Sequence, residues 1–396
     1  MRALVALVGL LLITSCGSIT QEQSGPDYRL YEAVKSDEGT LAIAVVDSLS
    51  HRKVLTLPIG TPSSDWRHLY SVVGQSLVDT DPATGTTLRA VNLGGEYQLP
   101  AATYTGMPGG LSPSGQWIVV QAFDASSHLL VLDTVTLRIV NSVVLPGLFK
   151  FDAISDDGRR LYLIEFLNGS EYFVRMYNLM NGQLDANIVV DKADGNQAMV
   201  GQRLSGIART DGQWLFSMYV RPHDGPFIHA LGLMGPFAFC IDLPGSGYSS
   251  DAAQWNWSIA MKPDGATVYA ANTTTGTVSA VDSQKFQVAR TTHIDMGGSG
   301  SRIANVALVT PDGKTLLLGG SSGVVWVDTA TLQAQSRALP GWHVSSMGLS
   351  PDGHELFAVN DAGAVAELQL ASGQMTTTFD PAAGPPIALM RVASAP

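Results

Sequence analysis

The sequence predicts an all-β protein built from a repeated four-stranded unit, and two recurring patterns indicate it. The first is a tight turn before a strand, as at Pro263-Asp264-Gly265, where proline presets φ and glycine accepts a positive φ. Copies recur 40 to 54 residues apart, counted between Trp66 and the glycines at Gly115, Gly158, Gly212, Gly265, Gly313 and Gly353. The second is an apolar strand that ends in Asp followed by Thr or Ser, at Asp47, Asp133, Asp282 and Asp328. A repeat of this length with several short strands is typical of the blades of a β-propeller.

The unit around Gly313 shows how one blade divides into strands. We expect four, at residues 304–310, 315–319, 323–328 and 333–339, because these runs are apolar or alternating and are separated by turn residues. A radial sheet of this kind packs its faces on neighbouring blades and leaves only short edges. We therefore expect one β-propeller of four-stranded antiparallel blades.

The second strands of two repeats carry a resemblance to a known repeat family. Val268-Tyr269-Ala270-Ala271-Asn272 and Leu356-Phe357-Ala358-Val359-Asn360, with the Val-Asp-Thr endings and Pro-Asp-Gly turns, resemble the YVTN-type repeats of bacterial surface proteins and of lactonase-like propellers. The resemblance covers most of residues 28–393 and is weakest at 203–257. It implies the fold, whereas its turn and core positions imply no particular ligand.

The two ends of the domain are complementary. Strands are expected at 28–34, 40–47 and 53–57, and a lone strand at 386–392. Propellers commonly close by completing one blade from both termini, so these three strands and the last one are expected to share a blade. Together with seven turn-marked repeats this gives eight blades. Residues 60–66 leave almost no room for an innermost strand, so seven blades is the alternative.

Residues 1–16 have the pattern of a lipoprotein signal peptide. Arg2 precedes an 11-residue apolar run, which suits a signal peptide and is too short to span a bilayer comfortably. The run leads to Leu12-Ile13-Thr14-Ser15-Cys16-Gly17, which resembles a bacterial lipobox and implies lipidation at Cys16; the alternative is an ordinary secretory signal. Residues 17–27 are expected to be a flexible tether before the propeller at 28–393. These features place the protein on the extracytoplasmic side of the cell envelope, held to a membrane by its lipid.

Composition excludes some classes of function. The 396-residue chain has a formal net charge of -11, with charged residues at 14%, which argues against nucleic acid as a partner. No histidine or cysteine pair has metal-ligand spacing and no Gly-x-Ser-x-Gly motif is present, so we expect neither a metal nor a cofactor. Without a catalytic constellation the sequence favours a monomeric binding protein over an enzyme.

The candidate binding residues come from the innermost strands and from three long loops. Loops at 94–110, 191–203 and 240–257 each follow an outermost strand, so they are expected to form a rim on one face of the ring. On the strands, positions eight and six residues before the turn glycine are mostly apolar or small, and the polar or aromatic exceptions are Lys150, Asp152, Trp257 and Asn305. The loops would add Trp255, Arg203, Arg302 and His343.

Two pairs within this set are expected to share a face, because residues two apart do so on a strand. They are Lys150 with Asp152, and Trp255 with Trp257 if that segment is extended. The alternative is a surface pair of Lys150 with Asp152 and a Trp257 that packs in the core. The sequence thus favours a binding module for a protein or carbohydrate at the envelope. A lactonase-like hydrolase that uses the central channel is the alternative, suggested by the fold resemblance alone.

Overall fold

A computed structural model of the chain describes residues 26–36, 39–168, 171–191, 195, 197–296 and 306–396. Over these residues the chain forms eight antiparallel sheets in a ring, an eight-bladed β-propeller. The predicted all-β fold and eight blades are confirmed, and the seven-blade alternative is wrong. The predicted signal peptide with Cys16, the tether up to residue 25, Arg302 and Asn305 lie outside the described residues. Within those residues, no helix has the length and apolar character needed to span a membrane.

The first three strands and the last one form a single sheet, which we call blade 8. Its strands are β1 (Tyr28–Lys35), β2 (Leu41–Asp47), β3 (Arg52–Pro58) and β32 (Pro386–Ser394). The order is β3-β2-β1-β32, and β1 pairs antiparallel with both β2 and β32. The chain therefore closes its ring as predicted, with three strands from one end and one from the other.

Blades 1 and 2 have unusual innermost edges. Blade 1 consists of β4 (Thr61–Pro62), β5 (Leu69–Val73), β6 (Ser76–Thr80) and β7 (Thr87–Asn92). Its β4 has only two residues, and Gly60 precedes it because a Cβ there would collide with the Tyr70 carbonyl oxygen. Blade 2 has β8 (Trp117–Phe123), β9 (Ser126–Asp133) and β10 (Arg138–Pro146), and two isolated bridges on β8 replace its innermost strand, Gln98 with Gln121 and Leu111 with Ile118.

Blades 3 and 4 are complete four-stranded sheets. Blade 3 contains β11 (Phe149–Ile154), β12 (Arg160–Asn168), β13 (Glu171–Asn178) and β14 (Gln183–Val189), and the short β15 (Met199–Val200) also pairs with β13. Blade 4 contains β16 (Gln202–Ala208), β17 (Trp214–Val220), β18 (Phe227–Gly232) and β19 (Ala238–Asp242).

The remaining blades follow the same order. A short 3-10 helix (Ala252–Asn256) leads into blade 5, with β20 (Trp257–Met261), β21 (Thr267–Asn272), β22 (Thr277–Asp282) and β23 (Gln287–His293). Blade 6 has β24 (Ala307–Val309), β25 (Thr315–Gly320), β26 (Gly323–Asp328) and β27 (Ala334–Ala338). Blade 7 has β28 (Val344–Leu349), β29 (Glu355–Asn360), β30 (Val365–Gln369) and β31 (Met375–Phe379).

Glycine turns shape each blade, and side-chain hydrogen bonds connect neighbouring blades. All six predicted turn glycines have a positive φ, between +66° and +77°. Backbone N–H groups near the inner edge of one blade donate to a side-chain oxygen of the blade before it: Phe149 to Ser127 at 2.7 Å, Phe151 to Gln121 at 3.1 Å, Val306 to Ser258 at 3.1 Å and Leu389 to Ser346 at 2.9 Å. These bonds link blade 2 to blade 3, blade 5 to blade 6 and blade 7 to blade 8 along the inner edge of the ring.

Candidate functional site

The connection from blade 1 to blade 2 forms a hairpin that crosses one mouth of the central channel. In this channel hairpin (residues 99–110), the Ala102 N–H donates to the Met107 carbonyl oxygen at 2.7 Å. Its tip passes blade 3 and reaches blade 4, where the Tyr104 N–H donates to the Leu204 carbonyl oxygen at 2.9 Å. Gly110 allows the chain to return to β8, because its φ is +106° and a Cβ there would lie 2.5 Å from the Val119 carbonyl oxygen.

Three aromatic side chains meet where the hairpin tip contacts the loop before blade 5. The Trp255 ring lies 4.9 Å from the ring of Tyr104 and 4.6 Å from that of Tyr248. Trp255 stands in the 3-10 helix, whose Asp251 cap accepts a hydrogen bond from the Ala253 N–H. Tyr104 is 48% exposed, whereas Trp255 is half-buried. We call these three residues the aromatic rim, and through it two of the three long loops are joined.

A cavity of about 300 Å³ lies beneath the channel hairpin. Ala101, Ala102 and Pro108 of the hairpin line one side of it, and the innermost strands of blades 3 and 4 line the other. The polar part of this wall is an ion pair, in which Arg203 Nη1 donates to Asp152 Oδ1 at 2.7 Å. The Asp152 side chain is 2% exposed and that of Arg203 is 20% exposed. The cavity therefore combines a largely apolar wall with one partly buried ion pair.

A β-bulge places Asp152 in this position. The pairing of β11 with β12 shifts between Phe151 and Ala153, so Asp152 has no residue opposite it. An extra residue of this kind breaks the alternation of faces along a strand. The structure accordingly separates Lys150 from Asp152. Lys150 is exposed, with Nζ 5.0 Å from the centre of the Phe166 ring, whereas Asp152 is buried against Arg203.

Buried neutral groups lie behind the ion pair. His229 of β18 is 1% exposed, and burial lowers its pKa to about 4, against the opposing effect of the Asp152 and Asp191 carboxylates. Its Nε2 has no hydrogen-bond partner among the described residues. The Tyr219 ring lies 6.1 Å from that of His229, and burial raises the pKa of the Tyr219 hydroxyl. Both groups are neutral near pH 7, so the charge lining this wall comes from Asp152 and Arg203.

The other expected site residues lie elsewhere. Trp257 is 2% exposed in the core between blades 4 and 5, and its Nε1 donates to Gln254 Oε1 at 3.1 Å. The segment is not extended, because Trp255 belongs to the 3-10 helix and Trp257 begins β20, so the two rings do not form one surface. His343 is exposed before β28 of blade 7, three blades round the ring from Arg203.

Sequence reasoning missed Tyr104, Tyr248 and the role of His229. Tyr104 and Tyr248 lie within the long loops at 94–110 and 240–257, so the presence of aromatic residues in those loops could have indicated the aromatic rim. His229 was not among the expected site residues, since its six-residue separation from His223 is not a metal-ligand spacing. In the structure His223 is exposed and His229 is buried. Among the described residues, no group of three or more His, Cys, Asp or Glu side chains is arranged to hold a metal ion.

Larger grooves on the opposite face arise from the repeat itself. They lie between blades 4 and 5, 5 and 6, and 6 and 7, with volumes of about 420, 320 and 590 Å³. Each is lined by the turn that joins the first two strands of a blade, such as Asp264-Gly265 or Asp312. Since the same part of the repeat forms all three, we attribute them to blade packing and take the channel cavity, which lies under the hairpin, as the candidate site.

Fold and site together define an eight-bladed β-propeller whose channel mouth is covered by its own hairpin. No protein-family model and no curated protein matches the chain. Among solved structures it is similar to the dihydro-heme d1 dehydrogenase NirN in complex with DHE, with 15% identity, 89% of this chain and 73% of that chain covered, and a TM-score of 0.56.

Two further structures are similar over shorter parts. Hydrazine synthase from Kuenenia stuttgartiensis shares 14% identity over 70% of this chain and 87% of its own, with a TM-score of 0.39. The β-propeller domain of Myceliophteria thermophila Cps50 (Swd1) shares 12% identity over 68% and 84%, also with a TM-score of 0.39. At these identities the similarity to NirN supports the propeller fold alone, and no ligand is transferred from it.

Proposed function

We propose that this protein is a lipid-anchored, extracytoplasmic β-propeller that binds a protein or a carbohydrate of the cell envelope through its aromatic rim. The observation that carries the proposal is the meeting of two long loops at the channel mouth, where Tyr104 and Trp255 present their rings together. Aromatic side chains bury large areas at small entropic cost and dominate many recognition surfaces. A rigid ring beneath holds these loops in a fixed arrangement, which favours binding.

The sequence supports the location. The lipobox-like segment ending at Cys16, the polar tether and the YVTN-type repeats are all typical of bacterial surface lipoproteins. Each buried lipid CH₂ contributes about 0.8 kcal/mol, and stable anchoring takes more than one acyl chain. A tether of this kind would let a monomeric propeller reach partners beyond the membrane surface.

Capture of the partner from intact cells tests the binding proposal. The mature domain is used as bait, and Trp255→Ala is compared with the wild type. We expect at least a tenfold loss of captured protein or glycan, with the free energy of unfolding changed by less than about 1 kcal/mol. Unchanged capture would contradict the proposal. So would a loss of about 3–5 kcal/mol in stability, as for a buried tryptophan, because Trp255 would then be a core residue.

Two matched aromatic controls make this result specific. Phe237, 39% exposed, lies in the turn between β18 and β19 on the opposite face of the ring, so Phe237→Ala should leave capture unchanged. Trp257 is 2% exposed in the core, so Trp257→Ala should lower stability by about 3–5 kcal/mol. If Phe237→Ala loses capture as strongly as Trp255→Ala, the aromatic rim is not the binding surface.

The hydrolase alternative predicts turnover and is tested separately. A lactonase-like enzyme would act in the central channel, where Asp152 is the carboxylate that lines the cavity. The purified domain is assayed with short aliphatic lactones by the acid released, with Asp152→Asn as the control. Turnover that disappears in Asp152→Asn would replace the binding module by a hydrolase as the proposed function.

A further inference from the structure

We propose that the cavity beneath the channel hairpin binds one sugar unit of a neutral carbohydrate. In this arrangement the pair of Asp152 and Arg203 hydrogen-bonds the sugar hydroxyls, and the hairpin closes over the ring. The inference rests on the proposed function and names its ligand class. Its starting observation is an ion pair in the wall of an otherwise largely apolar cavity of about 300 Å³.

The hydrogen-bonding capacity of the pair fits hydroxyl groups. A guanidinium group has five N–H donors. In Arg203 one of them, on Nη1, donates to Asp152, and the side chain as a whole is 20% exposed and lines the cavity. The remaining donors at the Nη atoms can therefore bond to a ligand oxygen, and a hydrogen bond to a charged group contributes more than one between neutral groups.

The charge of the pair selects against anions. Asp152 lies 2.7 Å from Arg203 and neutralises it, and the nearby His229 is neutral because burial lowers its pKa to about 4. An anionic ligand would meet the Asp152 carboxylate without a net positive charge to repay its desolvation. A hydroxyl group both donates and accepts, so it can bond to Asp152 and Arg203 together.

The apolar wall fits the C–H surface of a sugar ring. Leu111, Phe151, Ile154, Ala208 and Leu215 line the rest of the cavity. Small-molecule sites combine such walls with a few polar groups and have volumes of about 300–1,000 Å³. This cavity is at the lower end of that range, so it suits a single ring, and further units of a glycan would extend to the aromatic rim.

The channel hairpin controls access to the cavity. Its tip contacts the far wall through the Tyr104 N–H to Leu204 hydrogen bond and through the rings of Tyr104 and Trp255. Because Ala101, Ala102 and Pro108 of the same hairpin line the cavity, breaking these tip contacts would open it toward the mouth. The rim and the cavity thus form consecutive parts of one binding site.

Calorimetric titration tests the ligand class. The mature chain is titrated with the methyl glycosides of glucose, galactose, mannose and N-acetylglucosamine, and with methyl glucuronide as the anionic counterpart. We expect saturable binding of at least one neutral sugar and at least tenfold weaker binding of the glucuronide. Asp152→Asn should weaken the neutral sugar about tenfold or more, the loss expected for a charge-assisted hydrogen bond, and should reduce discrimination against the glucuronide.

Two further variants keep the test decisive. Glu165 forms an ion pair with Arg175 in the same blade, and neither lines the cavity, so Glu165→Gln should change affinity less than twofold. Ala208→Leu fills the cavity without changing its charge and should weaken binding at least tenfold even if Asp152→Asn does not fold. The proposal is overturned if no neutral sugar binds the wild type, if Ala208→Leu binds normally, or if Glu165→Gln loses affinity equally.

These outcomes are distinguishable from failure of the proposed function. If Trp255→Ala loses capture from cells while no neutral sugar binds, the aromatic rim still binds the partner, and the sugar inference alone fails. If Trp255→Ala keeps capture, the rim proposal fails, whatever the calorimetry shows.

Discussion

A buried carboxyl group in the closing blade should make the stability of this protein fall as the pH rises. Glu32 lies in β1, where it pairs with Ala44 of β2 and Leu389 of β32, and it is 1% exposed. Neither of its side-chain oxygens has a hydrogen-bond partner among the described residues. Burial, and then the negative charge of Asp380, raises the pKa of Glu32 to about 8.

The sign and size of the effect follow from proton linkage. The pKa of Glu32 rises from 4.5 when unfolded to about 8 when folded, so between these values the folded state keeps a proton that the unfolded state releases. The contribution of Glu32 to stability is therefore full below pH 4.5 and is lost as the pH rises toward 8. The shift is about 3.5 units, and at 1.36 kcal/mol per unit the total is roughly 5 kcal/mol.

Burial of His229 has the opposite effect on the pH dependence of stability, so the pH range for measuring the effect of Glu32 must avoid its titration. Burial lowers its pKa from 6.5 to about 4, so its contribution is lost as the pH falls below 6.5. Between pH 4.5 and 6.5 the contributions of Glu32 and His229 offset each other. Of these two contributions, only that of Glu32 changes between pH 6.5 and 8. Over these 1.5 pH units, at 1.36 kcal/mol per unit, the protein loses about 2 kcal/mol of stability.

Urea unfolding of the mature chain at pH 6.5 and 8.0 measures this loss. The wild type should lose about 2 kcal/mol between the two pH values, whereas Glu32→Gln, which cannot ionise, should lose less than about 0.5 kcal/mol. Glu96, which is exposed, supplies the control: Glu96→Gln should behave as the wild type does. A wild type whose stability is flat over this window, or a Glu32→Gln variant that falls equally steeply, would refute the reasoning.

Two other predictions concern the anchor and the blade turns. Cys16→Ala should release the protein from membranes or leave it uncleaved, and a variant that both fractionates and migrates like the wild type would contradict lipidation. Gly265→Val should destabilise the domain by about 1–3 kcal/mol, because φ is +72° and a Cβ would lie 2.8 Å from Thr210 Oγ1. Gly74→Val is its control, since φ is +58° but nothing lies within 4 Å, so urea unfolding should show a smaller loss.

Local chemistry explains why the fold was predictable. The strands expected at 28–34, 40–47 and 53–57 end within one residue of Tyr28–Lys35, Leu41–Asp47 and Arg52–Pro58. Turn residues and the alternation of apolar and polar residues act over a few positions, so the sequence of each repeat predicts the strands of that repeat. Blade 2 was less regular than expected, because the channel hairpin interrupts its innermost strand, and its closing contact with Leu204 lies far away in the sequence.

The candidate site was only partly predictable, because its contacts are non-local. Arg203 and Asp152 are 51 residues apart, and the packing of blade 4 against blade 3 brings them together. Both were among the expected site residues, but alternation paired Asp152 with Lys150. A bulge adds one residue without changing composition, so the pattern of β11 did not reveal it. The 3-10 helix likewise separates Trp255 from Trp257, although their spacing of two residues predicted that they share one face of a strand.

Three departures from the regular repeat meet at the candidate site. The innermost strand of blade 2 is replaced by a hairpin, β11 has a bulge at Asp152, and β16 shifts register between Arg203 and Ser205. A regular repeat buries its core most simply when every blade is alike, so each departure costs stability that the fold itself does not require. All three departures line or cover one cavity. The same kind of register shift occurs between Val344 and Ser346 in blade 7, so a shift alone does not mark a site; blades 2, 3 and 4 differ because the hairpin, Asp152 and Arg203 meet at one cavity.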